Sequence, residues 1–207
     1  MLNYTKQIWR LMDDIVARVP KLSFIDSQEI FVFGRFGRRG ADGAFATCHS
    51  LNLPNSEPGY YFWRDRATGS LTRRSEWFVT KTPELRIEGQ RIKYMISFVL
   101  PRFCEQTLPK SRKAEFYAPG GAEPWIAKLD TVIHELYHID PDDAGLRKFI
   151  AADGSHIEKS HGPDFYPQVA DMVRRYLATN PDPRRYEFLK YDFAGLHARY
   201  GTVATVP

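Results

Sequence analysis

His134, Glu135 and His138 stand in the order His-Glu-x-x-His, and a third histidine follows in the run Ser160-His161-Gly162-Pro163-Asp164-Phe165. At about 100° per residue, two histidines four positions apart share one face of a helix, one turn apart, while the glutamate between them projects to the side. Neutral imidazoles are good zinc ligands, and a zinc centre with three protein ligands keeps a fourth position at which water becomes a nucleophile near neutral pH. Glu135 then has the place of a general base that takes a proton without ligating the metal. The chemistry indicated is zinc-assisted hydrolysis.

Three residues compete to be the third ligand. Glu158 could supply a carboxylate from a second helix, and His156 lies five positions before His161 in the same stretch. His161 is preferred because Gly162 frees the backbone beside it and Pro163 suits an early helical position. The extended string HExxHxxGxxH is excluded, since Pro141 stands where glycine is required and Ala144 where histidine is required.

The helix that carries the pair is readable from its wheel. Trp125, Ile126, Leu129, Val132, Ile133, Leu136 and Tyr137 form an apolar arc, and Ala127, Asp130, Thr131, His134 and His138 a small or polar stripe. Asp130, one turn before His134, could accept the second ring N–H of a ligand histidine and fix its tautomer; the plainer alternative is an exposed aspartate near a helix N-terminus. Tyr117, His156 and Arg147 are candidates to stabilise a carbonyl oxygen during hydrolysis, whereas Tyr137 falls on the packing side. Phe165, Val169, Met172, Val173, Tyr176 and Leu177 recur at helical spacing and predict a second site helix. Pro167 removes a backbone donor there, so this helix is expected to begin late or to bend.

At these residues the chain resembles the SprT-like zinc metallopeptidases, the Spartan group, whose pattern is HExxH, a loop, and His-Gly-Pro-x-Phe; it is similar also to the related phage metallopeptidases. The likeness lies in motif over residues 117–177 and in layout over most of the chain. It implies a zincin-like α+β fold, with a small antiparallel or mixed sheet packed against an N-terminal helix and the HExxH helix. It further implies His134, His138 and His161 as zinc ligands, Glu135 as general base, and a protein or peptide substrate that in the Spartan group is DNA-associated.

Other function classes remain on the page. A zinc hydrolase of non-peptide amides would share every ligand; a module that keeps zinc without catalysis would show metal and no cleavage; a nucleic-acid-binding protein without metal would leave the histidines as core or surface residues.

With 207 residues, 43% hydrophobic and 14% aromatic, the chain can bury a sizeable core and is expected to form one domain over 1–207. It has no apolar run of membrane-spanning length and no signal-peptide pattern at its start, so a cytoplasmic protein is expected. Cys48 and Cys104 form neither a disulfide framework nor a CxxC pair. The first 110 residues carry 17 Lys/Arg against 11 Asp/Glu, and the remainder 12 against 14, so the basic excess lies away from the metal motif. Arg35, Arg38 and Arg39 among Gly34, Gly37 and Gly40, and Arg64, Arg66, Arg73 and Arg74 near Trp63 and Trp77, could touch phosphates and stack on bases. The alternative is a hairpin edge protected by charge.

Residues 3–19 read as an amphipathic helix closed by Pro20, with Ile8, Leu11, Met12, Ile15 and Val16 on one side. Ile30–Phe33 reads as a strand, Gly34–Gly43 as a turn, Ala44–Leu53 as the returning arm of a hairpin, and Arg91–Leu100 as a further strand. Residues 146–160 read as an insertion beside the site, and Tyr186–Tyr200 as a last helix.

Overall fold

The computed structural model describes residues 1–37, 43–51, 62–64, 68, 70–74, 85–117, 121–141, 145–147, 149–150, 156–157, 161–162 and 164–205. Glu158, Arg38, Arg39, Gly40, Arg66 and Trp77 lie outside them, and only the backbone is described at His156, Trp63, Arg64, Arg73 and Arg74. In chain order come β1 (Leu2–Asn3), α1 (Tyr4–Arg18), β2 (Ile30–Phe36), β3 (Ala46–Ser50), β4 (Phe62–Arg64), β5 (Leu71–Arg74), β6 (Arg86–Ile87), β7 (Gln90–Arg91) and β8 (Tyr94–Leu100). There follow α2 (Ile126–Tyr137), β9 (Phe149–Ile150), β10 (His156–Ile157), α3 (Phe165–Ala178), α4 (Phe193–Tyr200) and β11 (Val203–Ala204). The architecture is α+β: four described helices around small sheets.

The central sheet has the order β2-β8-β3, with β2 parallel and β3 antiparallel to β8. β2 and β3 are therefore not the two arms of a hairpin, as their closeness in sequence suggested. β8 lies between them because it is buried on both faces: Ile96 and Phe98 are fully buried, and Ser97 and Val99, which point the other way, are 2% exposed. A strand covered on both faces belongs in the middle of a sheet, and half-exposed β3 at its edge.

α1 starts where Asn3 Oδ1 accepts the Lys6 N–H at 2.9 Å and stops before Pro20. Its expected face is the buried one: Ile8, Leu11, Met12 and Ile15 are all within 1% of full burial, each contributing about 1.5–3 kcal/mol. That face joins β8, α2 and α3 in one hydrophobic core. The expected last helix is shorter than the reading Tyr186–Tyr200: Glu187–Lys190 is a 3-10 turn, and the α-helix begins only where Asp192 Oδ1 caps the Gly195 N–H at 2.7 Å. No described helix is long and apolar enough to cross a membrane.

Candidate metal centre

α2 ends at Tyr137, with His138 as its still-helical cap, and Asp140-Pro141 prevents it from continuing. His134 and His138 thus lie on its last turn with ring centroids 4.9 Å apart. His161 precedes α3 in a bend and brings its ring to 4.7 Å from that of His134 and 5.1 Å from that of His138. One nitrogen of each ring lies within 4.8 Å of the others, and Nε2 of His161 is 2.9 Å from Nε2 of His134. The ring of Phe165, the first residue of α3, underlies all three imidazoles at centroid distances of 4.8, 5.1 and 4.6 Å.

Pro167 does not interrupt α3, which runs unbroken from Phe165 to Ala178. It occupies the third helical position, where the backbone N–H would have no intrahelical partner in any case. α3 does start four residues after His161, so that histidine is carried by the approach to the helix and not by the helix itself.

Burial, more than any charge, pushes the His134 pKa well below the ordinary histidine value, with His138, Lys113 and His161 adding to the effect. Burial likewise brings His138 down to about 4 and lowers His161. All three rings are held neutral, the form that ligates. Glu135, 4% exposed, is driven up to about 8 by burial, against the opposing pull of the Lys113 ammonium and a hydrogen bond from the Cys48 backbone N–H. Three uncharged imidazoles beside a carboxylate that resists ionising make a site short of positive charge, and this donor set fits a divalent cation.

The Glu135 contact also orients β3. Phe45 O accepts from Val99 N–H and Leu51 N–H donates to Lys93 O, so odd-numbered residues of this strand bond to β8 and the backbone groups of Ala46, Cys48 and Ser50 point to the outer edge. That edge faces Glu135.

The buried charge has a measurable pH signature. Because the folded-state pKa of Glu135 lies above its ordinary value of 4.5, at about 8, its contribution to stability is complete below the unfolded value and is lost as pH rises through the folded one. In chelator-treated protein, Glu135→Gln should therefore be the more stable form at pH 8, with the difference shrinking toward pH 4.5. Urea midpoints of the two proteins across that range check this, and parallel curves would contradict it.

Asp130 does not hold a histidine ring, contrary to the expectation from its spacing. It is 2% exposed and takes the Lys113 ammonium at 2.6 Å on Oδ1 and the Tyr117 hydroxyl at 2.6 Å on Oδ2. Among the described residues, Nδ1 of His134 is buried without a hydrogen-bond partner. Lys113 also donates to Thr131 Oγ1 at 2.6 Å and Ala127 O at 3.3 Å, and Thr131 passes its own hydrogen to Gln106 Oε1 at 2.9 Å. The first part of the polar stripe of α2, Ala127, Asp130 and Thr131, is thus buried against Lys113 of the 3-10 segment Arg112–Phe116. A basic residue in a stretch without periodicity, Lys113 offered no signal in the sequence.

Two of the three candidates for carbonyl stabilisation, Tyr117 and Arg147, have other partners. The Tyr117 hydroxyl is engaged by Asp130, and its ring walls a cavity of about 610 Å³ with Trp125, Arg174 and Tyr186 that none of the three histidines lines. Arg147 donates to Tyr137 O at 2.9 Å and Ile139 O at 3.3 Å, and lies 4.3 Å over the Tyr137 ring, fastening the end of α2. Tyr137 packs as expected, 4% exposed against Phe165. His156 is described only in its backbone, paired with Ile150, and Glu158 lies outside the described residues. No family model, curated protein or solved structure matches the chain.

Proposed function

We propose that the protein is a zinc metallopeptidase of zincin-like build, related to the SprT-like enzymes, with His134, His138 and His161 as zinc ligands and Glu135 as general base. The reading is carried by one observation: three neutral imidazoles converge beside a buried carboxylate that touches the outer edge of a sheet. Zinc bound there would activate water and polarise a substrate carbonyl.

Glu135 accepts the proton of the attacking water and passes it to the leaving amine nitrogen. Its burial and the Cys48 N–H hold the carboxylate in one orientation for both transfers. Among the described strands none pairs with the outer side of β3, and an extended peptide laid antiparallel along that edge would present its backbone to the site. Such an edge favours a polypeptide substrate over a small amide. The excess of Lys and Arg before residue 110 supports a substrate held near nucleic acid, and a cytoplasmic setting suits that role.

Metal content of the purified protein, read beside digestion of an unfolded protein substrate, tests the proposal. Wild type should carry stoichiometric zinc and cut; His161→Ala should lose most of the zinc and the cutting with it. Full zinc retention in His161→Ala removes it as third ligand, and zinc-loaded wild type that cuts nothing ends the peptidase reading.

A further inference from the structure

His161 differs from the other two histidines in having no helix to hold it. His134 and His138 are set by the last turn of α2, whereas His161 lies in a bend next to Gly162, half-buried. Something must set the rotation of its ring if a cation is to find the nitrogen in place.

The two ring nitrogens face different neighbours. Nε2 is turned to Nε2 of His134 at 2.9 Å, and Nδ1 to the hydroxyl of Tyr166 at 3.4 Å. A nitrogen that gives its lone pair to a metal carries no hydrogen, so in a neutral ring Nδ1 must be the protonated one, and a phenol oxygen can accept from it. We propose that Tyr166 is the positioning residue of the metal centre: its oxygen accepts the Nδ1–H of His161, fixing both the tautomer and the rotation of the third ligand. The inference rests on the zinc reading above. The separation of 3.4 Å is longer than the usual range of about 2.7–3.2 Å, so the hydrogen bond is a weak one.

The surroundings of Tyr166 fit this task. It stands in the first turn of α3 and is 37% exposed as a residue, so filling the core is not its role. Phe116 stacks on it at 6.1 Å with ring planes 12° apart, and the Phe116 carbonyl accepts from Arg174 of α3 at 3.0 Å. The phenol is thereby braced from behind by the same helix that carries it. Its ring lies 5.2 Å from that of His161 and 5.9 Å from that of His134, and its hydroxyl meets His161 at Nδ1, the nitrogen not turned to His134. Ligand histidines commonly give their second N–H to such an outer acceptor, and its loss costs about 10–100-fold in metal affinity.

The experiment is a chelator competition for zinc with four proteins: wild type, Tyr166→Phe, His161→Ala and the double variant, each also melted after metal removal. Tyr166→Phe keeps the ring and deletes the acceptor. It should weaken zinc binding about tenfold or more, leave the melting temperature of the chelated protein unchanged, and add nothing in the His161→Ala background. Zinc affinity equal to wild type overturns the proposal, as does an undiminished effect once His161 is gone, which would mark a general structural role. Wild type that takes up no zinc sinks this inference and the metal centre together. Wild type that binds zinc, loses affinity on Tyr166→Phe and cuts no peptide leaves the positioning role intact while ending the peptidase reading.

Discussion

Glu135→Gln should keep its zinc and lose peptide hydrolysis by a factor of about 10²–10⁴, the range over which a positioned general base accelerates proton transfer. The substitution suits the question because it changes little else. Glutamine has the shape of glutamate, its amide oxygen can still accept the Cys48 N–H, and the ligand rings lie on neighbouring positions it does not alter. A neutral amide also removes the cost of ionising a group that burial drives up to about 8, so the variant should fold at least as well as wild type when metal is absent. Loss of turnover then cannot be ascribed to unfolding or to an empty centre. Hydrolysis within tenfold of wild type, at equal zinc content, would refute the assignment of Glu135 as the base.

Lys113→Met should destabilise the fold by about 3–5 kcal/mol, the usual cost of stripping one partner from a buried ion pair. The side chain of Lys113 is 14% exposed and that of Asp130 3%, so neither solvent nor salt screens the pair well. Methionine replaces the aliphatic stem but neither the ion pair with Asp130 nor the donations to Thr131 and Ala127. Asp130 would be left with the Tyr117 hydroxyl alone. Replacing both ends of the pair, Lys113→Met with Asp130→Leu, should recover most of the loss, since an apolar pair of similar volume is often neutral. Denaturant unfolding of the chelated proteins reads both effects, and a single variant within about 1 kcal/mol of wild type, the scale of an exposed pair, would show the contact to be energetically idle.

The histidine cluster was the most legible part of the chain. Ligand spacing on a helix is a local property, so His134, Glu135 and His138 announce their geometry from sequence alone, and the Gly-Pro after His161 marks a turn able to present a third ring. What surrounds those residues was not legible, because it arrives from afar. Asp130 was read as a partner for the ring one turn along its own helix, yet its two oxygens go to Lys113 and Tyr117, side chains from a preceding segment with no periodicity to betray its position. Tyr166 sits one position off the apolar spacing that revealed α3, so the same pattern that exposed the helix concealed the phenol.

The sheet teaches a related lesson. β2 and β3 looked like a hairpin because two strand-like runs flanked a glycine-rich turn, and local turn chemistry says nothing of a later strand wedging between them. The indication lay in β8 itself, where Met95 and Val99 make the second face largely apolar with Ser97 its one polar residue, whereas a half-exposed strand would alternate with polar ones throughout.

That wedge also dictates the order in which the chain can assemble. Among the described strands neither β2 nor β3 has a hydrogen-bonding neighbour until residues 94–100 arrive, so roughly the first half of the polypeptide leaves the ribosome before this sheet can form. The loops that join them to β8 must close over long stretches of sequence before any sheet bond rewards them, a cost that slows folding. Through that interval the nascent chain is open to chaperones, and to mispairing with other copies.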